Sequence, residues 1–354
     1  SSERPDIVLV EGDTNAVMAG ALAASKMHIP VGHVESGLRS YDKTMPEEIN
    51  RIVADICSEL YFVPTEESGV NLIFEGLHPQ DIHITGNTVV DAVYRNLKIA
   101  ENYSNLNFDI KKDFITLTLH RAENTDNPQR LKNITDALLE LKEIDIIFPV
   151  HPRTIKTLQE LKLYDQLARA DHIQLMKPAG YLDFLVLLSH SKAVITDSGG
   201  IQEEAITMDL PCITLRYNTE RPETVTAGGN ILVGTDKERI IQTVQNILED
   251  EELYQRMSQA ENPYGDGKTS QKIVDIITEA YENGNLKITP PENIGGLEGR
   301  FIQKVEESID VLRYEEKNAS TRIIDVFDGD KAQFPHGNLQ LKGKTIILER
   351  FSVE

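Results

Sequence analysis

The residues best suited to chemistry stand at the ends of short apolar runs. Asp13 follows Ile7 to Val10 in Gly12-Asp13-Thr14, Glu35 follows His33-Val34, and Glu47 opens the stretch after Pro46. Carboxylates on one rim can take up and return protons. His120 and Arg121 close another apolar run, Phe114 to Leu119. Further on, Ile195-Thr196 leads through Asp197-Ser198-Gly199-Gly200 into a helical stretch holding Glu204. Glycines let a backbone come close to a ligand, and the free N–H groups and positive dipole end of a helix start suit a diphosphate. Ser198 adds a hydroxyl donor, and Glu204, one turn in, is placed to accept from ribose hydroxyls. Arg216 and Arg221, beyond the next apolar run, offer charge-assisted hydrogen bonds to phosphate. These residue types describe a site with proton transfer at one end and a diphosphate at the other.

Each feature also has a plainer reading. An Asp before Thr can be a helix N-cap, and Glu47 can simply favour a helix start. A lone His after a strand is often structural, Ser-Gly-Gly can be loop punctuation, and the two arginines can belong to a solvated loop. Glu35 is the hardest to dismiss, because isolated charges seldom stand unpaired near buried strands. His33 and His151 are read as positional or core histidines, and Phe184 by itself as a core aromatic of an amphipathic helix.

The elements that must position these residues alternate. Strands are expected at Ile7 to Val10, Val31 to Val34, Tyr61 to Val63 and Ile82 to Ile84. Helices are expected at Asn15 to Lys26, Pro46 to Leu60, after the cap Thr65, and from about Val89. After a polar linker at Glu101 to Lys112 the pattern restarts, with strands at Phe114 to Leu119, Asp145 to Val150, Gln174 to Met176, Ala193 to Ile195 and Pro211 to Leu215. Helices are expected from Pro128, Tyr181, Lys237, Glu251 and Ser270. Alternation of this kind implies α/β architecture with two doubly wound parallel-sheet domains, residues 1–100 and 112–283. Ligands in such sheets bind beyond the carboxyl ends of the strands, which is where the candidate residues stand. Residues 284–354 break the rhythm. A helix over Ile302 to Tyr314 and strands over Ile323 to Phe327 and Thr345 to Leu348 are expected there, with no function.

Composition narrows the class. The 354 residues exceed one ordinary core, and 40% hydrophobic residues suffice for two. A net charge of −21 speaks against a general nucleic-acid or anionic-membrane binder, though not against a locally basic pocket. The two cysteines, Cys57 and Cys212, each lie in an apolar stretch and are expected as buried thiols. No His, Cys, Asp or Glu cluster has convincing metal spacing, so no metal is expected. The absence of a signal peptide and of a bilayer-length apolar run points to a cytoplasmic protein.

Seven motifs, in order, carry a family resemblance: Glu11-Gly12-Asp13-Thr14, Gly32 to Arg39, Pro46 to Arg51, Gly86-Asn87-Thr88, Leu119 to Asn124, Thr196 to Glu204 and Thr219 to Glu223. Over Pro5 to Ala280 the chain resembles the non-hydrolysing UDP-N-acetylglucosamine 2-epimerases. That resemblance implies a glycosyltransferase-B-like fold, usually a homodimer, and reversible conversion of UDP-GlcNAc to UDP-ManNAc without a cofactor. UDP would leave first, making C1 cation-like and the C2 proton removable; UDP would then add back to the 2-acetamidoglycal with protonation from the other face. By the same resemblance Asp13, Glu35 and Glu47 are the acid/base candidates and His120 acts near the diphosphate beside Arg121. Phe184 would stack on uracil, and Ser198, Gly199, Gly200, Glu204, Arg216 and Arg221 would hold UDP.

The family's opening strand and Gly-Thr-Arg-Pro-Glu loop are not found here, and the chain begins Ser1-Ser2-Glu3. The expectation is therefore an N-terminally truncated member, starting near the fourth strand of the first domain, with an unpaired sheet edge and part of a core exposed. Two alternatives follow: the same chemistry on a UDP-diacetamido-uronic acid, or an inactive UDP-sugar-binding fragment.

Overall fold

A computed structural model describes residues 5–103, 113–286, 288, 340–342 and 345–347. The first unit runs β1 (Val8–Glu11), α1 (Asn15–Lys26), β2 (Val31–Val34), α2 (Pro46–Ile56), β3 (Leu60–Val63), α3 (Glu66–Phe74), β4 (Ile82–Ile84) and α4 (Thr88–Tyr103). Its four strands lie in the order β1-β2-β3-β4, all parallel. Thr14 caps α1 through the Val17 N–H at 3.4 Å, and Thr65 caps α3 through the Ser68 N–H at 3.3 Å. The expected helix to Leu60 stops at Ile56. The Glu59 N–H donates to the Val31 carbonyl at 2.9 Å, which draws the chain into the sheet and makes Leu60 the first residue of β3.

The second unit continues with β5 (Phe114–Leu117), α5 (Ala122–Thr125), α6 (Pro128–Glu140), β6 (Asp145–Pro149), α7 (Pro152–Glu160), α8 (Tyr164–Ala168), β7 (Ile173–Met176) and α9 (Tyr181–Ser189). Then come β8 (Ala193–Thr196), α10 (Gly199–Thr207), β9 (Cys212–Thr214), α11 (Pro222–Thr226), β10 (Asn230–Leu232), α12 (Lys237–Glu249), α13 (Glu251–Ser258) and α14 (Thr269–Glu282). Its six parallel strands lie in the order β10-β9-β8-β5-β6-β7. The chain winds outward from β5 to β7 and then returns to the other side of β5. The ends of β5 and β8 are therefore neighbours at a topological switch point. Both faces are buried: Ile115, Leu117, Ile146, Phe148 and Ile195 on one, Phe114, Ile147, Val194 and Cys212 on the other. That is why these strands read as continuous apolar runs.

Two helices tie the units together. Helix α4 leaves the first sheet and lies against α9 and α10 of the second unit. Helix α14 returns from the second unit, where Ile273, Ile276 and Ile277 pack on Val34, Leu60 and Phe62. The opposite face of the first sheet is covered by its own helices, with Val17, Ala21, Ala24 and Ala54 on Val10 and Val31. Among the described residues β1 pairs on one side only, and its Leu9 is 48% exposed. Beyond α14, β11 (Gln340–Lys342) and β12 (Thr345–Ile347) form an antiparallel pair. The helix expected over Ile302 to Tyr314, the strand over Ile323 to Phe327 and most of the linker at Glu101 to Lys112 lie outside the described residues.

Candidate active site

The carboxylates of the first unit hang from the ends of β1 and β2. Since Thr14 is the helix cap, the Asp13 carboxylate is left to pair with Arg51, Oδ2 to Nη2 at 2.5 Å. The Arg51 guanidinium also meets the buried Glu48 at 2.8 Å, and the Asn50 amide donates to the Asp13 carbonyl at 2.9 Å. Helix α2 thus fixes both the side chain and the backbone of Asp13. Glu48 accepts from the Ser40 and Tyr41 N–H groups and belongs to the scaffold. Its neighbour Glu47 is exposed on the first turn of the same helix.

Glu35 takes a left-handed backbone conformation, φ +68°, which costs a residue with a Cβ on the order of 1–2 kcal/mol. The bend points its carboxylate back at Gly12, where an added Cβ would lie 3.3 Å from Oε2. Burial pushes Glu35 above the usual carboxylate range; Arg221 opposes this, and Asp13 and Glu11 reinforce it. Beneath this loop His33 is fully buried, Nδ1 2.6 Å from Asp55 Oδ1 and Nε2 2.8 Å from the Gly12 carbonyl. Both neighbours are acceptors, so both ring nitrogens carry protons and His33 is an imidazolium. Burial alone would lower its pKa, but Asp55 and the Gly12 carbonyl raise it.

The second unit supplies the other end at its switch point. Asp197, fully buried after β8, accepts from the backbone N–H groups of His120 at 3.1 Å and Arg121 at 2.9 Å. Its Oδ1 also lies 3.3 Å from His120 Nδ1, so one carboxylate orients both residues after β5. The His120 ring is half exposed and Arg121 partly so. Ser198 precedes the first turn of α10 and caps no N–H with its side chain, leaving its hydroxyl for other partners. Gly199 is a packing necessity, since a Cβ there would meet Glu220 Oε1 at 2.5 Å, whereas a Cβ at Gly200 would meet nothing within 4 Å.

Glu220 gathers the cations. It accepts from Arg216 at 2.7 Å and Arg121 at 2.9 Å. Burial would raise it, but Arg216, Arg121 and Arg221 hold it down at about 2. Arg216 is itself buried, its Nε 3.2 Å from Glu123 without hydrogen-bond alignment. Arg221 donates from Nη2 to Glu35 at 2.6 Å and from Nε to Glu203 at 2.5 Å. A run of polar contacts therefore leads from Glu35 in the first unit to Asp197 and His120 in the second, by ion pairs from Arg221 to Glu35 and from Arg121 to Glu220, joined through the Glu220 carbonyl, which accepts from Arg221 Nη1 at 3.3 Å, and the Arg121 N–H, which donates to Asp197.

The remaining expected residues stand apart from that run. Glu204 is half-buried on α10 and accepts from the Tyr181 hydroxyl; burial pushes it up to about 7 despite that bond. Phe184 on α9 packs against the buried cluster of Phe114, Ile147 and Leu187 and against that of Leu188, Val194 and Ala205. Asp197, Glu203 and Glu220 take structural parts that the sequence does not single out, while His33 is the positional core histidine that it was read to be. An Asp directly after a strand at the switch point is the one signal that would have drawn attention to Asp197. Among the described residues no cluster of His, Cys, Asp and Glu is arranged to hold a metal ion, and no helix is long and apolar enough to cross a membrane.

Residues 1–278 match the family described as UDP-N-acetylglucosamine 2-epimerase. The chain belongs to that family. It is 50% identical over 284 residues to the UDP-N-acetylglucosamine 2-epimerase of Methanocaldococcus jannaschii, an alignment covering 78% of this chain and 76% of that protein. It is 39% identical over 293 residues to the Salmonella typhimurium enzyme, covering 77% and 76%. The crystal structure of the M. jannaschii epimerase in complex with UDP-GlcNAc and UDP superposes with a TM-score of 0.69 at 49% identity, over 78% of this chain and 77% of that one. The Neisseria meningitidis epimerase bound to UDP-GlcNAc gives 0.70 at 38% identity, over 78% and 76%. This chain is thus an α/β protein of two parallel-sheet units with the glycosyltransferase-B-like fold of UDP-GlcNAc 2-epimerases.

Proposed function

We propose that this protein interconverts UDP-GlcNAc and UDP-ManNAc by eliminating UDP and adding it back. The C1–O bond breaks with its electrons going to the β-phosphate oxygen, and a carboxylate takes the C2 proton. The reverse addition, with a proton delivered to the opposite face of C2, gives the epimer. Asp13, Glu35 and Glu47 are the proton carriers. His120, Arg121 and the N–H groups at the start of α10 receive the diphosphate, with Ser198, Gly199, Gly200 and Arg216 framing it. Glu204 holds the ribose and Phe184 the uracil. Residues 1–100 and 112–283 act as two domains around the sugar nucleotide, in a homodimer whose assembly sedimentation would read directly.

The observation that carries this reading is the run of contacts from Glu35 to His120. It joins a carboxylate with raised proton affinity to an anion-receiving helix start across the two units. The UDP-GlcNAc bound in crystal structures of similar epimerases supports the substrate class. The test is incubation with UDP-GlcNAc in D2O, followed by NMR. Deuterium at C2 together with UDP-ManNAc is the expected result; UDP binding with no exchange would limit the protein to sugar-nucleotide binding.

A further inference from the structure

One arginine carries the charge between the two units. Arg221 is buried, and its guanidinium is shared: Nη2 donates to Glu35 at 2.6 Å, Nε to Glu203 at 2.5 Å and Nη1 to the Glu220 carbonyl at 3.3 Å. Glu203, on the first turns of α10, is also buried, and the oxygen that accepts from Arg221 accepts from the Asn87 amide at 2.9 Å. Asn87 belongs to the first unit, just after β4, and its backbone N–H is held by the Tyr264 carbonyl at 2.9 Å. Its neighbour Gly86 presses so close that a Cβ would lie 2.5 Å from that same carbonyl. The sequence Asn87, Glu203, Arg221, Glu35 therefore crosses from the first unit to the second and back, and it ends on a carboxylate that bears the proposed chemistry.

We propose that Glu203 is a positioning residue for the reaction: it holds Arg221 in place and divides that arginine's charge between itself and Glu35, and so sets how strong a base Glu35 is. This rests on the role given to Glu35 above. Burial keeps Glu203 away from substrate, so it acts only through its neighbour. The physics is that of one buried cation between two buried carboxylates. Each competes for the guanidinium, and each raises the proton affinity of the other by like-charge repulsion. Burial, then Glu35 acting against Arg221, pushes Glu203 upward too.

Removing either partner moves Glu35 in opposite directions. With the Glu203 charge gone, Arg221 serves Glu35 alone and Glu35 becomes a weaker base. With Arg221 gone, two buried carboxylates face each other and Glu35 becomes a stronger one. The other charges around Glu35 are Asp13 and Glu11 from the β1 end and Arg51 from α2, with His33 on its own strand. From the second unit, Tyr264 and Glu223 face Glu203, and Tyr264 and Glu220 face Arg221. These groups are the same in every variant and do not reverse the sign.

The experiment is a 13C-carboxyl NMR titration of the whole chain, with the Glu35 signal assigned by its loss in Glu35→Gln. Glu203→Gln preserves size and the acceptor for Asn87. It should lower the Glu35 midpoint by about one unit, and Arg221→Gln should raise it by about one unit. In Glu203→Gln, where turnover is measurable, the acid limb of the kcat profile should follow the Glu35 midpoint while KM changes little. A Glu35 midpoint within roughly 0.3 units of wild type in Glu203→Gln overturns the proposal. If Arg221→Gln does not fold, Glu203→Gln decides alone, and Glu203→Asp should give a smaller shift of the same sign. A wild-type protein that shows no C2 exchange removes the proposed function but leaves this titration fully readable.

Discussion

The two sheets use the same β-α alternation and reach different kinds of completeness. The second has six strands with a switch point, and its own helices cover both faces. The end proposed to receive the diphosphate follows from topology: the ends of β5 and β8 are neighbours, and helix α10 starts there. The first has four strands in sequential order, with its own helices on one face and α14, from the far end of the second unit, on the other. Its carboxylates are placed by specific contacts: Arg51 on Asp13, the left-handed bend and Arg221 on Glu35, and a buried imidazolium under Gly12. Binding should therefore survive injury to the first unit, whereas chemistry should not survive the loss of any one of these contacts.

The sharpest test of that asymmetry is Glu35→Gln. The rate of C2 exchange should fall by roughly 10²-fold or more, the usual worth of a general acid/base, with UDP affinity changed only modestly. A rate near wild type would take Glu35 out of the proton path. Arg121→Ala should show the reverse pattern. Loss of a charge-assisted bond to phosphate, worth about 1.5–3 kcal/mol, should weaken UDP binding by roughly tenfold or more in calorimetry; unchanged affinity would put the diphosphate elsewhere.

Gly200→Ala separates ligand from fold within the second unit. A Cβ there meets nothing within 4 Å, so the melting temperature should hold or rise slightly, as expected for Gly to Ala in a helix. UDP affinity should nonetheless fall several-fold, because the methyl occupies the approach to α10. A smaller effect is expected at Glu204, whose folded pKa of about 7 lies above its ordinary 4.5. The folded state then binds the proton more tightly than the unfolded one, so stability is lost as pH rises from about 4.5 to 7. Glu204→Gln should remove that loss. Melting curves of the two proteins should coincide below this window, and the variant should lead above it. Parallel curves throughout would mean that Glu204 is ionised at little cost.

Much of this was legible along the chain. The cap Thr65, the helix Asn15–Lys26 and the strand starts at Val31, Phe114 and Ala193 follow from local chemistry and stand where the residues put them, whereas α1 is capped by Thr14 and not by Asp13, the cap considered from the sequence. The second helix was overrun because Val53 to Leu60 keeps a helical spacing, and only the bond from Glu59 to Val31 in another strand ends it. Helix α8 and the three-residue strand β10 are too short to show a period of their own, whereas α7, which buries Thr154 and Leu158 four residues apart, carries a helical period that the sequence does offer. The Ser198-Gly199-Gly200 turn marks the helix start at which the diphosphate is proposed to bind. What could not be read was the cost of holding it together. Arg221 meets Glu35 across 186 residues of sequence, and Arg121 meets Glu220 across 99. Phosphate-binding arginines and ion-paired arginines look alike until their partners are in place.

The return of α14 to the first sheet also bears on the order in which the protein can be made. Val34, Leu60 and Phe62 emerge early, yet the isoleucines that cover them belong to residues 269–282. At ordinary elongation rates that cover arrives roughly 10–40 s later. Throughout that interval a nascent chain lacks the isoleucines that cover this apolar sheet face in the folded protein. The first unit is thus the part of the molecule most exposed to misassembly before synthesis ends.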